Sequence, residues 1–292
     1  QEQEHFCAGA NLYEVISAIK LGLLEKDPGL TSKAKKKAFE VMHPDLPKLG
    51  KLYSIKKTVR MLQDLLMRLK HGKLLTIAAV DGLALGGGCE LLLHCNRVVA
   101  SMNSFIGLVE VGIGGIPAGC GSKEMALRAY LNKESDDIFP LLSKHFEQIA
   151  MAKVSASALE AREMGYLKSE DVIIANPNEL LYVAKHQALA MLESGYKSPL
   201  DDTFKVVGKA GYANIMAQVA NLFEGNFMSE HDKYCITSLA KVMTGSLVEE
   251  NTVVNSKMLL DLERKYFVEL LGTQKTQDRI EYMLRNSKPL RN

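Results

Sequence analysis

An α/β fold with a largely helical carboxy-terminal region is what this sequence predicts, on three observations. Two short apolar runs, LLTIAAV at Leu74–Val80 and RVVA at 97–100, have the length and aliphatic content of strands buried on both faces. Ile55, Val59, Leu62, Leu66 and Leu69 recur at helical spacing just before the first run. Beyond about residue 122 the apolar pattern is mainly helical, so the alternation of strand and helix before it implies a layered core with helices appended.

The elements follow in order. Tyr13–Leu24 is mostly apolar and gives way to EKDPGLTSKAKKKAFEVMHPDLPKLG, whose Pro, Gly and Lys content reads as a surface excursion. The stripe from Ile55 predicts one amphipathic helix over about residues 54–70, with Met61 and Met67 read as core. The strand Leu74–Val80 turns at Asp81-Gly82. A glycine run then opens a short helix at about Cys89–Cys95, RVVA makes the next strand, and FIGLVEVGIGGIPAGCGS reads as a strand followed by a tight loop. Near the end, Leu259, Leu262, Tyr266 and Leu270 form a helical stripe that stops at Gly272, and Ile280, Met283 and Leu284 suggest a last short helix. KSPLDD at 197–202 marks a candidate linker, which divides the chain into a core at 1–190 and a helical region at 191–292.

Composition narrows the function classes. A chain of 292 residues, 47% apolar and with a net charge of +2, has enough apolar sequence for a large core and too little basic charge for a dedicated nucleic-acid binder. No stretch approaches the roughly 18 apolar residues of a membrane span. Five cysteines, Cys7, Cys89, Cys95, Cys120 and Cys235, contain no CxxC pair, so they read as reduced cytoplasmic thiols, neither a disulfide framework nor a zinc site. QEQEHFCAGANL has neither an initiator Met nor a signal pattern, which reads as a start inside a longer protein.

The chemistry concentrates in DGLALGGGCELLLHC, Asp81–Cys95. Three consecutive glycines before a helix leave backbone N–H groups uncovered at the positive end of the helix dipole, a setting for an anion or a developing oxyanion. Taken alone, the run more often marks a turn packed closely against a strand. It is no familiar phosphate loop, since Leu91 stands where the last glycine of GxGxxG belongs. Glu90 and Glu110 each sit among glycines and aliphatics. Such a carboxylate needs a partner or a raised pKa, which suggests paired acid and base work, unless Glu90 only caps a helix and Glu110 lies in a solvated loop.

FCAGANL, IAAVDGLALGGGCELLLHC and FIGLVEVGIGGIPAGCGS, in that order, resemble the crotonase superfamily, specifically its enoyl-CoA hydratases. LERKYFVELLGTQKTQDRIEYMLRNSKPLRN resembles the family's C-terminal helices, and GYKSPL, GKAGYANI and EGNFMSEHD resemble the fusion proteins that join a crotonase part to an NAD-dependent 3-hydroxyacyl-CoA dehydrogenase part. The resemblance implies a ββα spiral core, here without its first strands, and hydration of trans-2-enoyl-CoA in fatty-acid β-oxidation. It implies an oxyanion hole from the backbone N–H groups of Ala8 and Gly87, with Glu90 acting on the water at C3 and Glu110 protonating C2. The helix dipole is expected to keep Glu90 ionised, which makes Glu110 the better candidate for a raised pKa. The partners implied are an acyl-CoA thioester, an upstream dehydrogenase domain and further copies of the chain. No cofactor is expected in this chain, and NAD enters only with an attached dehydrogenase.

Some residues depart from the family pattern. Asn11 replaces an aspartate, Leu74-Leu75 replaces a lysine-proline pair, and Ala118 replaces a glycine whose N–H helps to hold the water. Lys33, with Lys35, Lys36 and Lys37, and Lys288 are candidates for the coenzyme A phosphates, against the reading of solvated lysines. His94 reads as a packing or supporting residue, and Cys89 and Cys120 as small packing residues. The rival functions are a Δ3,Δ2-enoyl-CoA isomerase, which relies on the Glu110 position alone, and a non-catalytic acyl-CoA-binding or docking module.

Overall fold

A computed structural model describes Cys7 and residues 55–132, 137–201 and 203–292 of the chain. The expectations for Ala8, Asn11, Tyr13–Leu24 and the lysines at 33–37 lie outside the described residues.

Helix α1 spans Ile55–His71 and buries Val59, Gln63 and Leu66. Met61 faces away from the core at 56% exposure, against expectation, because it sits on the opposite side of the helix from that stripe. Strand β1 is Ile77–Val80, shorter than the apolar run suggests. Leu74 is 80% exposed and stands outside the strand. Strand β2 is Leu83–Leu85, helix α2 Gly87–Leu93, strand β3 Arg97–Ser101 and strand β4 Phe105–Gly107. Asp81 shapes the turn after β1 by accepting the N–H of Gly82 at 3.1 Å and the Ser101 hydroxyl.

Pairing explains how these pieces stack. β1 runs parallel to β3, with Ile77 opposite Arg97, and β2 runs parallel to β4, with Leu83 opposite Phe105. Each strand pair therefore sends one strand to each sheet, and the next pair repeats the path beside it. That is the spiral repeat. Cys7 extends the second sheet on the other side of β2: its N–H donates to Leu83 O and its carbonyl accepts from Leu85 N, both at 2.9 Å.

Downstream come α3 (Gly121–Tyr130), α4 (Phe139–Ala150), α5 (Ala158–Glu163), β5 (Val172–Ile174) and α6 (Leu180–Glu193). β5 corrects the mainly helical reading beyond residue 122, since it joins the first sheet parallel to β3, with Val99 opposite Val172. Three residues are too few for a periodicity to announce them. The period of two divides the faces of this sheet. Ala78, Val80, Val98 and Ala100 point into the main core, while Ile77, Ala79, Val99, Val172 and Ile174 pack on Leu180, Val183 and Ala184 of α6.

The rest comprises β6 (Phe204–Lys205), α7 (Gly208–Glu224), α8 (Glu230–Met243), β7 (Val253–Val254), α9 (Ser256–Leu271) and α10 (Gln274–Asn286), with β6 and β7 paired antiparallel. Side chains cap the last three of these helices: Ser229 in a reciprocal box with Asp232, Asn255 accepting from Met258 N, and Thr273 accepting from Thr276 N. Leu239, Met243, Leu259 and Leu270 join the same core as Val80 and Ile106. The helical region thus packs directly onto the strand layers and closes over the ends of β2 and β4. No helix among the described residues is long and apolar enough to cross a membrane.

Candidate active site

The three glycines have three different roles. Gly86 turns the chain out of β2 with φ 53° and ψ −121°, a left-handed backbone that side chains disfavour. Gly88 lets the chain at Cys7 approach, because a Cβ there would lie 2.6 Å from Cys7 Cβ. Gly87 faces open space, with nothing within 4 Å of a Cβ built on it. As the first residue of α2 its N–H has no acceptor inside the helix. Both readings of GGG therefore apply, at different glycines.

Glu90 lies in the first turn of α2 and is only 3% exposed. Its Oε1 accepts the N–H of Gly121 at 2.9 Å, and the N–H of Gly119 also donates to the carboxylate. Glycine is needed at both places, since a Cβ at 119 or 121 would lie 2.3 or 2.8 Å from a Glu90 oxygen. Burial lifts the Glu90 pKa to about 7 against the pull of the two N–H donors. Burial thus outweighs the helix end, which corrects the expectation that the dipole favours the ionised form throughout, and with a pKa of about 7 the carboxylate and the acid are both populated near neutrality.

Glu110 opens a turn of 3-10 helix, Glu110–Ile113, that follows β4. Burial, and then the charge of Glu90, push its pKa well above the carboxylate range. Its Oε2 is buried and has no hydrogen-bond partner among the described residues. A neutral acid is the form such a site favours.

Gly87, Glu90, Glu110 and Ala118 line one cavity of about 120 Å³. Its other walls are apolar and come from distant segments, with Val59 and Leu62 from α1, Phe267 and Leu271 from α9, and Ile280 from α10. The Thr276 hydroxyl, also on the lining, donates to Gly114 O at 2.7 Å and so ties α10 to the loop after Glu110. Lys288 is exposed beyond the end of α10 and does not line the cavity. Among the described residues no group of three His, Cys, Asp or Glu side chains is placed to hold a metal ion.

Residues 48–167 match the enoyl-CoA hydratase/isomerase family. The chain carries a crotonase-family domain. A probable 3-hydroxyacyl-CoA dehydrogenase of Bacillus subtilis is 40% identical over 236 residues, covering 80% of this chain and 29% of that protein. A putative fatty acid oxidation complex trifunctional enzyme of Rickettsia prowazekii is 27% identical over 235 residues, covering 80% of this chain and 29% of its own length. The chain thus spans under a third of the length of these two relatives. An enoyl-CoA hydratase structure from Bacillus halodurans superposes with a TM-score of 0.52 at 15% identity, over 96% of this chain and 78% of that one. The crotonase fold is common to both.

Glu90, Glu110 and Ala118 fall inside the segment that matches the crotonase family, whereas α9 and α10 lie outside it. Two buried polar residues beside the cavity escape the sequence reading. Glu263 is fully buried on α9, where it accepts the N–H of Cys120 at 3.1 Å and that of Lys123 at 2.6 Å. Gln63 on α1 donates through Nε2 to Ala118 O at 3.0 Å and to Glu263 Oε2 at 3.2 Å. The signal was present in the stripes: Glu263 falls on the same helical face as Leu259, Tyr266 and Leu270, and Gln63 on the face of Val59 and Leu66.

Beneath α2 a second polar group supports the crotonase core. Glu124 is 2% exposed and meets Lys70 at 2.6 Å, Lys123 at 3.1 Å and Arg128 at 3.2 Å. Burial acts to raise its pKa, but Lys70, Lys123 and Arg128 outweigh it and hold the carboxyl well below the usual range. His94 bridges this group to the site, with Nδ1 2.7 Å from Glu90 O and Nε2 3.1 Å from Lys123 Nζ. Burial, and then Lys123, press His94 well below its ordinary pKa, so it is neutral and acts as a link between the two polar groups.

Proposed function

We propose that the chain is an enoyl-CoA hydratase that adds water across the double bond of a trans-2-enoyl-CoA to give a 3-hydroxyacyl-CoA. The observation that carries the reading is the pair of buried carboxyl groups on one small cavity, one held by the N–H groups of Gly119 and Gly121 and the other with its Oε2 lacking a hydrogen-bond partner.

In this reading the thioester oxygen lies against the N–H of Gly87 and that of Ala8. Negative charge builds there as the enolate forms, and fixed donors stabilise it more than they stabilise the substrate; losing one such donor costs about 3 kcal/mol. Glu90, pinned by Gly119 and Gly121, orients the water and takes its proton as the oxygen bonds to C3. Glu110 is neutral and delivers its proton to C2. The N–H of Ala118 helps to hold the water. A transfer from Glu90 back to Glu110 then resets the site. The apolar wall of Val59, Leu62, Phe267, Leu271 and Ile280 excludes bulk water, which keeps these charges strong.

An isomerase needs a single carboxyl to move one proton along the acyl chain, and a binding module needs none. Glu90, buried at a cost and fixed in the same cavity as Glu110, is the feature that favours hydration over both. We also propose that the hydratase works beside a 3-hydroxyacyl-CoA dehydrogenase. The names of the B. subtilis and R. prowazekii relatives support this, as does the product, which is the substrate class of such a dehydrogenase. NAD belongs to that other region, and Lys288 is free to reach coenzyme A phosphates at the surface.

The test follows the loss of the conjugated-enoyl absorbance of crotonyl-CoA and of a longer trans-2-enoyl-CoA. The parent is expected to hydrate at least one, and Glu90→Gln and Glu110→Gln are each expected to lower kcat by about 10²- to 10⁴-fold. A folded parent that binds acyl-CoA and leaves both absorbances unchanged refutes the hydratase reading.

A further inference from the structure

The turn that grips Glu90 is itself gripped from the other side. Ala118 to Lys123 leads into α3, and its N–H groups point alternately to two carboxylates: Gly119 and Gly121 donate to Glu90, while Cys120 and Lys123 donate to Glu263. Cys120 makes this alternation possible by adopting φ 70°, a left-handed conformation that a side chain resists. That strain persists only where the surroundings hold it. The holders are Glu263, on the Cys120 N–H at 3.1 Å, and Gln63, whose Nε2 donates to the carbonyl of Ala118 at 3.0 Å and to Glu263 at 3.2 Å. Glu263 does not line the cavity, so it can act on the reaction only through the turn.

Resting on the hydratase reading, we propose that Glu263 is a positioning residue: with Gln63 it locks the strained turn at Cys120 so that Gly119 and Gly121 hold the Glu90 carboxylate toward the attacking water. A fully buried carboxylate at this place is otherwise unexplained. It has no cation as its nearest partner, and burial, with the charge of Glu90, raises its pKa to about 8. An apolar side chain on the face of Leu259, Tyr266 and Leu270 would pack there without that cost.

The experiment compares hydration kinetics of the parent, Glu90→Gln, Glu263→Gln and Glu263→Gln/Cys120→Gly. The amide introduced by Glu263→Gln retains the size of the side chain but accepts through one oxygen only, so it cannot hold both N–H groups. The expected result for Glu263→Gln is a kcat lower by about 10- to 100-fold with KM for the acyl-CoA unchanged, as for a misplaced catalytic group. Glycine at 120 adopts the left-handed turn freely. The double variant is therefore expected to recover at least several-fold of the lost kcat, which a loss of packing alone would not allow. Unchanged kcat in Glu263→Gln, or a lowered kcat that glycine at 120 fails to restore, overturns the proposal. If Glu263→Gln does not fold, Gln63→Met supplies the same reading, with lowered kcat and unchanged KM expected and unchanged kcat overturning it. An unaffected rate in Glu90→Gln would instead sink the hydratase reading, so the two failures are distinct.

Discussion

At the scale of single residues, steric room decides which of three identical glycines serves chemistry. Gly88 and Gly87 are neighbours in the same helical turn, yet one abuts Cys7 and the other opens on the cavity. Gly88→Ala is expected to lower stability by about 1–3 kcal/mol, because the 2.6 Å contact with Cys7 forces a backbone shift. Gly87→Ala is expected to keep the Tm of the parent and to lose hydration rate, since its methyl projects into the space the thioester needs. Thermal melts and the crotonyl-CoA assay on the two variants check this. The reverse pattern, a melting loss at 87 and an activity loss without it at 88, would contradict the assignment.

At the scale of elements, short pieces are set by what they pack against. α2 has 7 residues and cannot stand alone; α3 and the Lys70, Lys123 and Arg128 group around Glu124 hold its lower side through His94. Glu124→Gln leaves three cations at this place without their counter-charge, and a loss of about 3–5 kcal/mol is expected in chemical denaturation. A loss below about 1 kcal/mol would mean that the network is solvated and unimportant. The single turn of apolar residues at Ile280, Met283 and Leu284 announced α10 but not its start at Gln274, whereas the reading of α1 came within one residue at each end and α9 stops at the expected Gly272, because their apolar spacing extends over several turns. β5 was missed for the opposite reason, and Leu74 was included in β1 because hydropathy alone cannot say where pairing stops.

At the scale of the whole molecule, buried carboxyls pull the pH dependence of stability in two directions. Glu124 has a folded pKa below its ordinary value of 4.5, so its contribution is present above that value and is lost as pH falls through the folded pKa. Glu90 and Glu263, at about 7 and about 8, and Glu110, pushed well above the carboxylate range by burial, act oppositely. Their contribution is complete below 4.5 and is lost as pH rises through the folded values. The three raised carboxyls favour the acid side of neutrality, and they are opposed by His94, His145 and His231, whose pKa values burial lowers and which cost stability as pH falls below 6.5. The contribution of the raised carboxyls alone is expected to be smaller at pH 8 than at pH 5, on the order of 1–3 kcal/mol per group. Glu110→Gln removes one of these groups, so it is expected to reduce that difference and to stabilise the protein at pH 8. Denaturant titrations at the two pH values give the answer, and an equal slope in both proteins would exclude Glu110 as a buried titrating group.

The sequence by itself determined the α/β class, the helices α1, α9 and α10, the strands at RVVA and FIG, and the crotonase resemblance that pointed to Gly87, Glu90, Glu110 and Ala118. Local periodicity and motif order are properties of neighbouring residues, so a linear reading captures them. Only the tertiary structure decided that these four residues share a cavity, that burial outweighs the helix dipole at Glu90, and that Gln63 and Glu263 meet behind it. Those outcomes depend on how much water each carboxyl loses, and that is fixed by α1 together with α9 and α10, the latter two far from the motifs along the chain and against them in space.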